Sequence, residues 1–250
     1  MRVILPILVC ALLAGIILVT DTNESGFLAG NAAAQWLPPF FWAGITNLGN
    51  GFAAFCLVAP TLAWRPRWTA AALLAAPFAG LLSHSVKKLA GMPRPAAVLA
   101  PESFHIIDSS LFKNAFPSGH TLTAFVAAGI LVFCSRQPLA WLALPAAMLV
   151  GFSRIAVGAH WPLDLLAGAA GGWAMAALGC ALSKRWRFWE NVRGQRILAG
   201  IVLVCAVAFV FENTKYPQGM WMQHLLCVVG FFGALYALWR PAALSAQDSR

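Results

Sequence analysis

The sequence predicts an all-α fold, a polytopic bundle of transmembrane helices. Of the 250 residues, 60% are hydrophobic and only 10% charged, whereas soluble domains carry about a quarter charged residues. Mean hydropathy is +0.75. The apolar residues also gather in repeated runs close to the roughly 20 residues that a spanning helix needs. The short alternating segments of an outer-membrane barrel are absent, and the length suits one bundle.

Eight runs qualify: 3–20, 40–63, 69–90, 118–135, 138–157, 162–182, 197–211 and 221–239. The first follows Arg2 and resembles a signal peptide. It is too long for a typical h-region, and Ala32-Ala33-Ala34 lies well beyond its end, so the expectation is an uncleaved helix. The second holds Asn47, Gly49, Asn50 and Gly51 at its middle, a device for close inward packing and hydrogen bonding. Three regions follow. Residues 1–39 are an N-terminal helix and outward loop, 40–182 a core, and 183–250 a basic loop with two further helices.

The net charge is +9, but its distribution argues against a nucleic-acid partner. The basic residues sit in short loops between runs, which is topology information. Arg2, Arg65, Arg67, Arg136, Lys184, Arg185, Arg187, Arg193, Arg196, Arg240 and Arg250 fall on one side, expected to be cytoplasmic. The segment 184–196, with Trp186, Phe188 and Trp189, reads as a topology-setting interfacial loop. Asp21, Glu24, Glu102, Asp108 and Glu212 fall on the other side, in a bacterium the periplasm. All six cysteines lie inside apolar runs without metal spacing and read as small buried hydrophobes. The tail 245–250 reads as polar and frayed.

The outward side carries the chemistry. A long loop, 91–116, contains Pro93, Pro95 and Pro101 and cannot be one helix; its apolar residues suit capping the bundle. Three polar clusters stand at three outward helix ends. Lys87 and Arg94 close the third run, Pro117-Ser118-Gly119-His120 opens the fourth, and Arg154, His160 and Asp164 join the fifth to the sixth. Charges near a membrane are costly and usually paired or functional. A helix start favours an anion through its free N–H groups and dipole. Lys87, Arg94 and Arg154 supply permanent positive charge for a phosphoryl group and its transition state. Asp164 lies four residues after His160, close enough to take its Nδ1 proton and leave Nε2 free to attack.

Lys-x6-Arg-Pro (Lys87, Arg94, Pro95), Pro-Ser-Gly-His (117–120) and Ser-Arg-x5-His-x3-Asp (153–164) together resemble the three-part signature of the type 2 phosphatidic acid phosphatase family. Vanadium haloperoxidases share that signature on a soluble scaffold, which the apolar runs exclude here. The resemblance covers residues 40–182 and no motif position departs. It implies a six-helix core, with the last two helices an extension. It also implies His160 as nucleophile through a phosphohistidine, Asp164 as its orienting group, and His120 as proton donor to the leaving group and then base for water. Lys87, Arg94, Ser118, Gly119 and Arg154 would bind phosphoryl oxygens, with no metal and no cofactor. Independently, no acidic cluster at the site is able to hold Mg²⁺.

Other polar residues have ordinary readings. His84, His105 and His224 read as interfacial, and Lys88 snorkels. Trp161 and Pro162 read as interface anchor and helix start. Lys113 and Asn114, beside the Pro-Ser-Gly-His turn, have substrate contact as an alternative to a plain loop role. The function this implies is hydrolysis, at the periplasmic face of an inner membrane, of a membrane lipid phosphate or diphosphate. Undecaprenyl diphosphate, phosphatidylglycerophosphate, phosphatidic acid and lipid A phosphates fit equally, because the motifs read the phosphoryl group and not the tail. The alternatives are phosphotransfer to a lipid hydroxyl and non-catalytic binding of lipid phosphates. Nothing in the sequence sets the oligomeric state.

Overall fold

A computed structural model describes residues 2–135 and 137–239. Arg136, Arg240, Arg250 and the tail 245–250 lie outside the described residues. Each predicted apolar run contains helix. They are α1 (Ile4–Thr20), α3 with α4 (Pro39–Asn47, Gly51–Val58), α5 (Pro66–Ala90), α7 (Gly119–Cys134), α8 (Ala143–Ala156), α9 (Pro162–Arg185), α10 (Val192–Phe211) and α11 (Met220–Trp239). Two shorter helices, α2 (Asn23–Ala33) and α6 (Pro95–Val98), complete the set. No strand occurs among the described residues.

Among the described residues, five helical segments are long and apolar enough to cross a membrane, or up to seven if each of two bent pairs is one span. This is a multi-pass membrane protein. Leu12, Leu81, Val204 and Phe232 are each more than half exposed, as expected of faces solvated by lipid. No residue of α1 is buried, so this helix lies on the outside, along α9.

Two expectations about the helices need correction. Run 40–63 is not one helix: α3 and α4 meet at 76°. The break falls at the polar middle, where the Asn50 side chain accepts from Phe52 N at 2.8 Å and caps a new helix. The outward loop after α1 also contains α2, turned 108° from α1. A hydropathy reading tuned to span length passes over an eleven-residue helix. Its buried residues are Phe27 and Asn31, and the Asn31 amide donates to the carbonyls of His105 and Ile155 at 2.9 Å each.

The centre is α9 with α7 and α5. Gly168, Gly172, Ala176, Gly179 and Cys180 form a buried small-residue face on α9, which lets backbones approach closely where lipid provides no hydrophobic drive. Cys134 and Cys180, read from sequence as small buried hydrophobes, instead form a disulfide between α7 and α9, with Cα atoms 6.4 Å apart. The extension folds back as a hairpin, α10 against α11, with both packed on α4.

Candidate active site

Local rules set each motif at a helix end. Helix α5 stops just beyond Lys87 because Gly91 takes a left-handed conformation (φ 57°) and its N–H returns to Lys87 O at 3.1 Å. Helix α7 starts at Ser118, whose buried Oγ accepts from Thr121 N and from Thr121 Oγ1, the latter at 2.9 Å. Helix α9 starts at Pro162, preorganised for a first turn. The Asp164 carboxylate caps that turn, Oδ2 accepting from Trp161 N at 2.9 Å.

The three ends are tied directly to one another. Ser118 N donates to Asp164 O at 3.0 Å. Lys87 Nζ donates to Pro117 O at 2.7 Å and to Asn114 O at 3.0 Å. Arg94 spans from the loop to the last motif, with Nε to Lys113 O at 2.8 Å and Nη1 to Ala159 O at 3.1 Å. Lys113 and Asn114 therefore serve the site through backbone carbonyls. Asn114 has φ 58°, a conformation asparagine tolerates better than most residues. Trp161 is a correction: it is no interface anchor but buried, with Nε1 donating to Pro93 O at 3.0 Å. His84, Lys88, His105 and His224 are exposed, and His105 Nδ1 lies 2.7 Å from Gln35 Nε2.

His160 is 2% exposed, and its Nδ1 lies 3.1 Å from Asp164 Oδ2. Its Nε2 lies 3.2 Å from Arg94 Nη1. A guanidinium can only donate, so Nε2 is the acceptor and the ring proton sits on Nδ1, facing the carboxylate. This tautomer keeps the Nε2 lone pair directed at the cationic cluster. Burial, and then the charges of Arg94, Arg154 and Lys87 with the neighbouring His120, hold His160 well below the ordinary histidine range. The neutral base is thus the form present at pH 7.

Arg154 is 1% exposed. Nη1 donates to Thr46 Oγ1, and Nη2 to the Tyr216 hydroxyl at 2.9 Å. Nε is buried with no hydrogen-bond acceptor, a costly state for a charged donor unless an anion completes it. Neither Thr46 nor Tyr216 belongs to a motif, and sequence reasoning missed both. The only available signal was their isolation, since Tyr216 is one of two tyrosines in the chain.

His120 and Gly119 lie on the wall of a cavity of about 520 Å³ between α4, α5 and α7. Phe52, Phe55, Val58, Ala72, Ala76, Leu122 and Val126 also line it. All eight residues singled out from the sequence thus converge on one end of the bundle. Among the described residues, no group of three His, Cys, Asp or Glu side chains is placed to hold a metal ion.

The sequence profile of the PAP2 superfamily matches residues 66–191, half of the chain. The chain belongs to the PAP2 superfamily. The matched segment contains all eight site residues and neither Thr46 nor Tyr216. Among PAP2 relatives, the lipid A 1-phosphatase of Rhizobium etli is 38% identical over 109 residues, covering 38% of this chain and 42% of the relative. The undecaprenyl-diphosphatase of Sulfolobus acidocaldarius is 42% identical over 76 residues, covering 29% and 37%. The chain thus spans less than half the length of these two curated relatives. The crystal structure of Aquifex aeolicus LpxE superposes with a TM-score of 0.56 at 27% identity, over 66% of this chain and 95% of that one.

Proposed function

We propose that this protein is a membrane lipid phosphatase, hydrolysing a lipid phosphate or diphosphate through a phosphohistidine, at the periplasmic face in a bacterium. The observation that carries this reading is a juxtaposition. A buried His–Asp pair and three cations meet at one helix-end cluster, and that cluster adjoins a mostly apolar cleft between α4, α5 and α7 that opens to the surface. The cations suit a phosphoryl group and the cavity suits its lipid tail. The names of the two relatives, both phosphatases of lipid substrates, support the same class.

His160 Nε2 attacks phosphorus, and the bond from phosphorus to the lipid oxygen breaks. The bound phosphoryl anion offsets the charges of Arg154, Arg94 and Lys87 that disfavour the His120 imidazolium, and His120 in that protonated form gives a proton to the departing oxygen. Water, deprotonated by His120, then attacks the phosphohistidine, the P–N bond breaks, and inorganic phosphate leaves. Asp164 holds the imidazole and balances the positive charge it gains. Lys87, Arg94, Arg154 and the N-terminus of α7, through Ser118 and Gly119, stabilise the charge on the transferring group.

The test is phosphate release by the purified protein from a panel of lipid phosphates, in EDTA, with and without an acceptor lipid. Release from a lipid diphosphate or monophosphate alone is expected, and His160→Ala should lower it by about 10⁴-fold or more while leaving the protein extractable and folded. Full turnover by His160→Ala would remove the nucleophile from the mechanism. Phosphate appearing only as a new lipid phosphoester would convert the reading to phosphotransfer. Complete loss in EDTA would overturn a metal-free reaction.

A further inference from the structure

We infer that Tyr216, at the turn of the C-terminal hairpin, is a positioning residue for phosphoryl transfer: together with Thr46 it clamps the Arg154 guanidinium so that Nε is left for a phosphoryl oxygen. The inference rests on the phosphatase reading above and gives the hairpin a role in it. Both clamps come from outside the family-matched segment 66–191.

Arg154 has five N–H donors in a rigid plane. Thr46 Oγ1 takes one on Nη1 and the Tyr216 hydroxyl takes one on Nη2. The Tyr216 ring also lies against the guanidinium, 5.2 Å from its carbon to the ring centroid. A free arginine side chain loses rotamer entropy when it is fixed. Two hydroxyl acceptors and a ring face meet that cost before substrate arrives, which is preorganisation in the sense that matters for catalysis. Nε remains the buried donor without an acceptor.

The clamp is itself held in place. Tyr216 is 1% exposed. Beside it, Gly219 O accepts from the Asn47 amide at 2.8 Å, tying the turn to α3, the helix that carries Thr46. Gln218 Nε2 donates to Asp108 Oδ1 at 2.9 Å, and its backbone N–H to Oδ2 at 3.2 Å. These bonds tie the turn to the outward loop. Two helices with no motif of their own thus reach the site through one hydroxyl.

The test is Tyr216→Phe, which keeps the ring and removes the acceptor. kcat/KM for phosphate release should fall about 10- to 100-fold, as for loss of a hydrogen bond to a charged group. Orthovanadate, read by thermal shift in detergent against each variant's own unliganded unfolding temperature, should bind more weakly by a similar factor. In an Arg154→Lys background the same change should cost less than about twofold, because coupled residues are not additive. Thr46→Val should act in the same direction as Tyr216→Phe. Wild-type kcat/KM and vanadate affinity in Tyr216→Phe, or an undiminished effect in the Arg154→Lys background, would overturn the inference. If the wild type binds vanadate yet releases no phosphate from any lipid, the hydrolytic reading has failed, and vanadate affinity alone decides the role of Tyr216.

Discussion

At the scale of single residues, the site depends on keeping His160 neutral within a cationic cluster. The cause is burial first and the charges of Arg94, Arg154 and Lys87 next. Both act against the imidazolium and in favour of the Nε2 lone pair. The sign follows directly. On the proposed mechanism activity requires the neutral ring, so it is present above the lowered pKa and lost as pH falls through it. Once the ionisation of the substrate phosphate near pH 6 is divided out, the acid limb of kcat/KM should lie well below the ordinary histidine value of about 6.5. Arg94→Gln removes one of the charges that lower the pKa, so the limb should move to higher pH. A wild-type limb at the ordinary histidine value, or a shift to lower pH in Arg94→Gln, would show that another group controls the profile.

At the scale of elements, the break between α3 and α4 matters as much as the motifs. Gly49 sits at the break, and a Cβ there would lie 2.7 Å from His120 Cβ and 3.0 Å from its Cα. Only a glycine lets this bend meet the first turn of α7. Gly49→Ala should therefore displace His120, lower phosphate release by more than about tenfold, and destabilise by roughly 1–3 kcal/mol through overpacking. Gly200→Ala, in the middle of α10 where a Cβ meets nothing within 4 Å, is the control and should leave phosphate release unchanged without destabilising the fold. Assays of both variants, with unfolding followed in detergent, decide the point. This bend also marks how far the sequence was legible. Lys87, Arg94, Ser118, Gly119, His120, Arg154, His160 and Asp164 could be read because charge and fixed spacing stand out in an apolar chain. Asn47, Gly49 and Asn50 could be read as a packing device, but hydropathy cannot distinguish a straight span from two helices at 76°. Thr46 and Tyr216 were illegible because one hydroxyl in a run or a loop has no spacing to betray it. The pairing of Cys134 with Cys180 depends on helices brought together by tertiary packing, which no local pattern encodes.

At the scale of the whole molecule, the bundle joins two environments that a soluble phosphatase need not join. Its polar end gathers permanent charge, and beside it lies a cleft of about 520 Å³ with mostly apolar walls, open to the surface at Gly51, Ala76 and Gly80. Three cations have no preference for one tail over another, so on the proposed reading discrimination between lipid phosphates falls to the cavity wall. Ala72, Ala76, Ala79 and Gly80 of α5 contribute small side chains to that wall, which keeps room for a tail between α4, α5 and α7. A tail that moves there from the bilayer gains packing contacts rather than hydrophobic transfer energy, shared between ground and transition states and so expressed chiefly in KM. Ala76→Trp narrows the cavity from its α5 side, whereas Gly119 and His120 stand on its α7 side. KM for a long-chain lipid phosphate should rise about tenfold or more, while turnover of a short-chain, water-soluble phosphate ester stays at the wild-type rate. Equal loss on both substrates would mean that the substitution reached the cationic end, and no loss on either would mean that the tail lies elsewhere on the bundle.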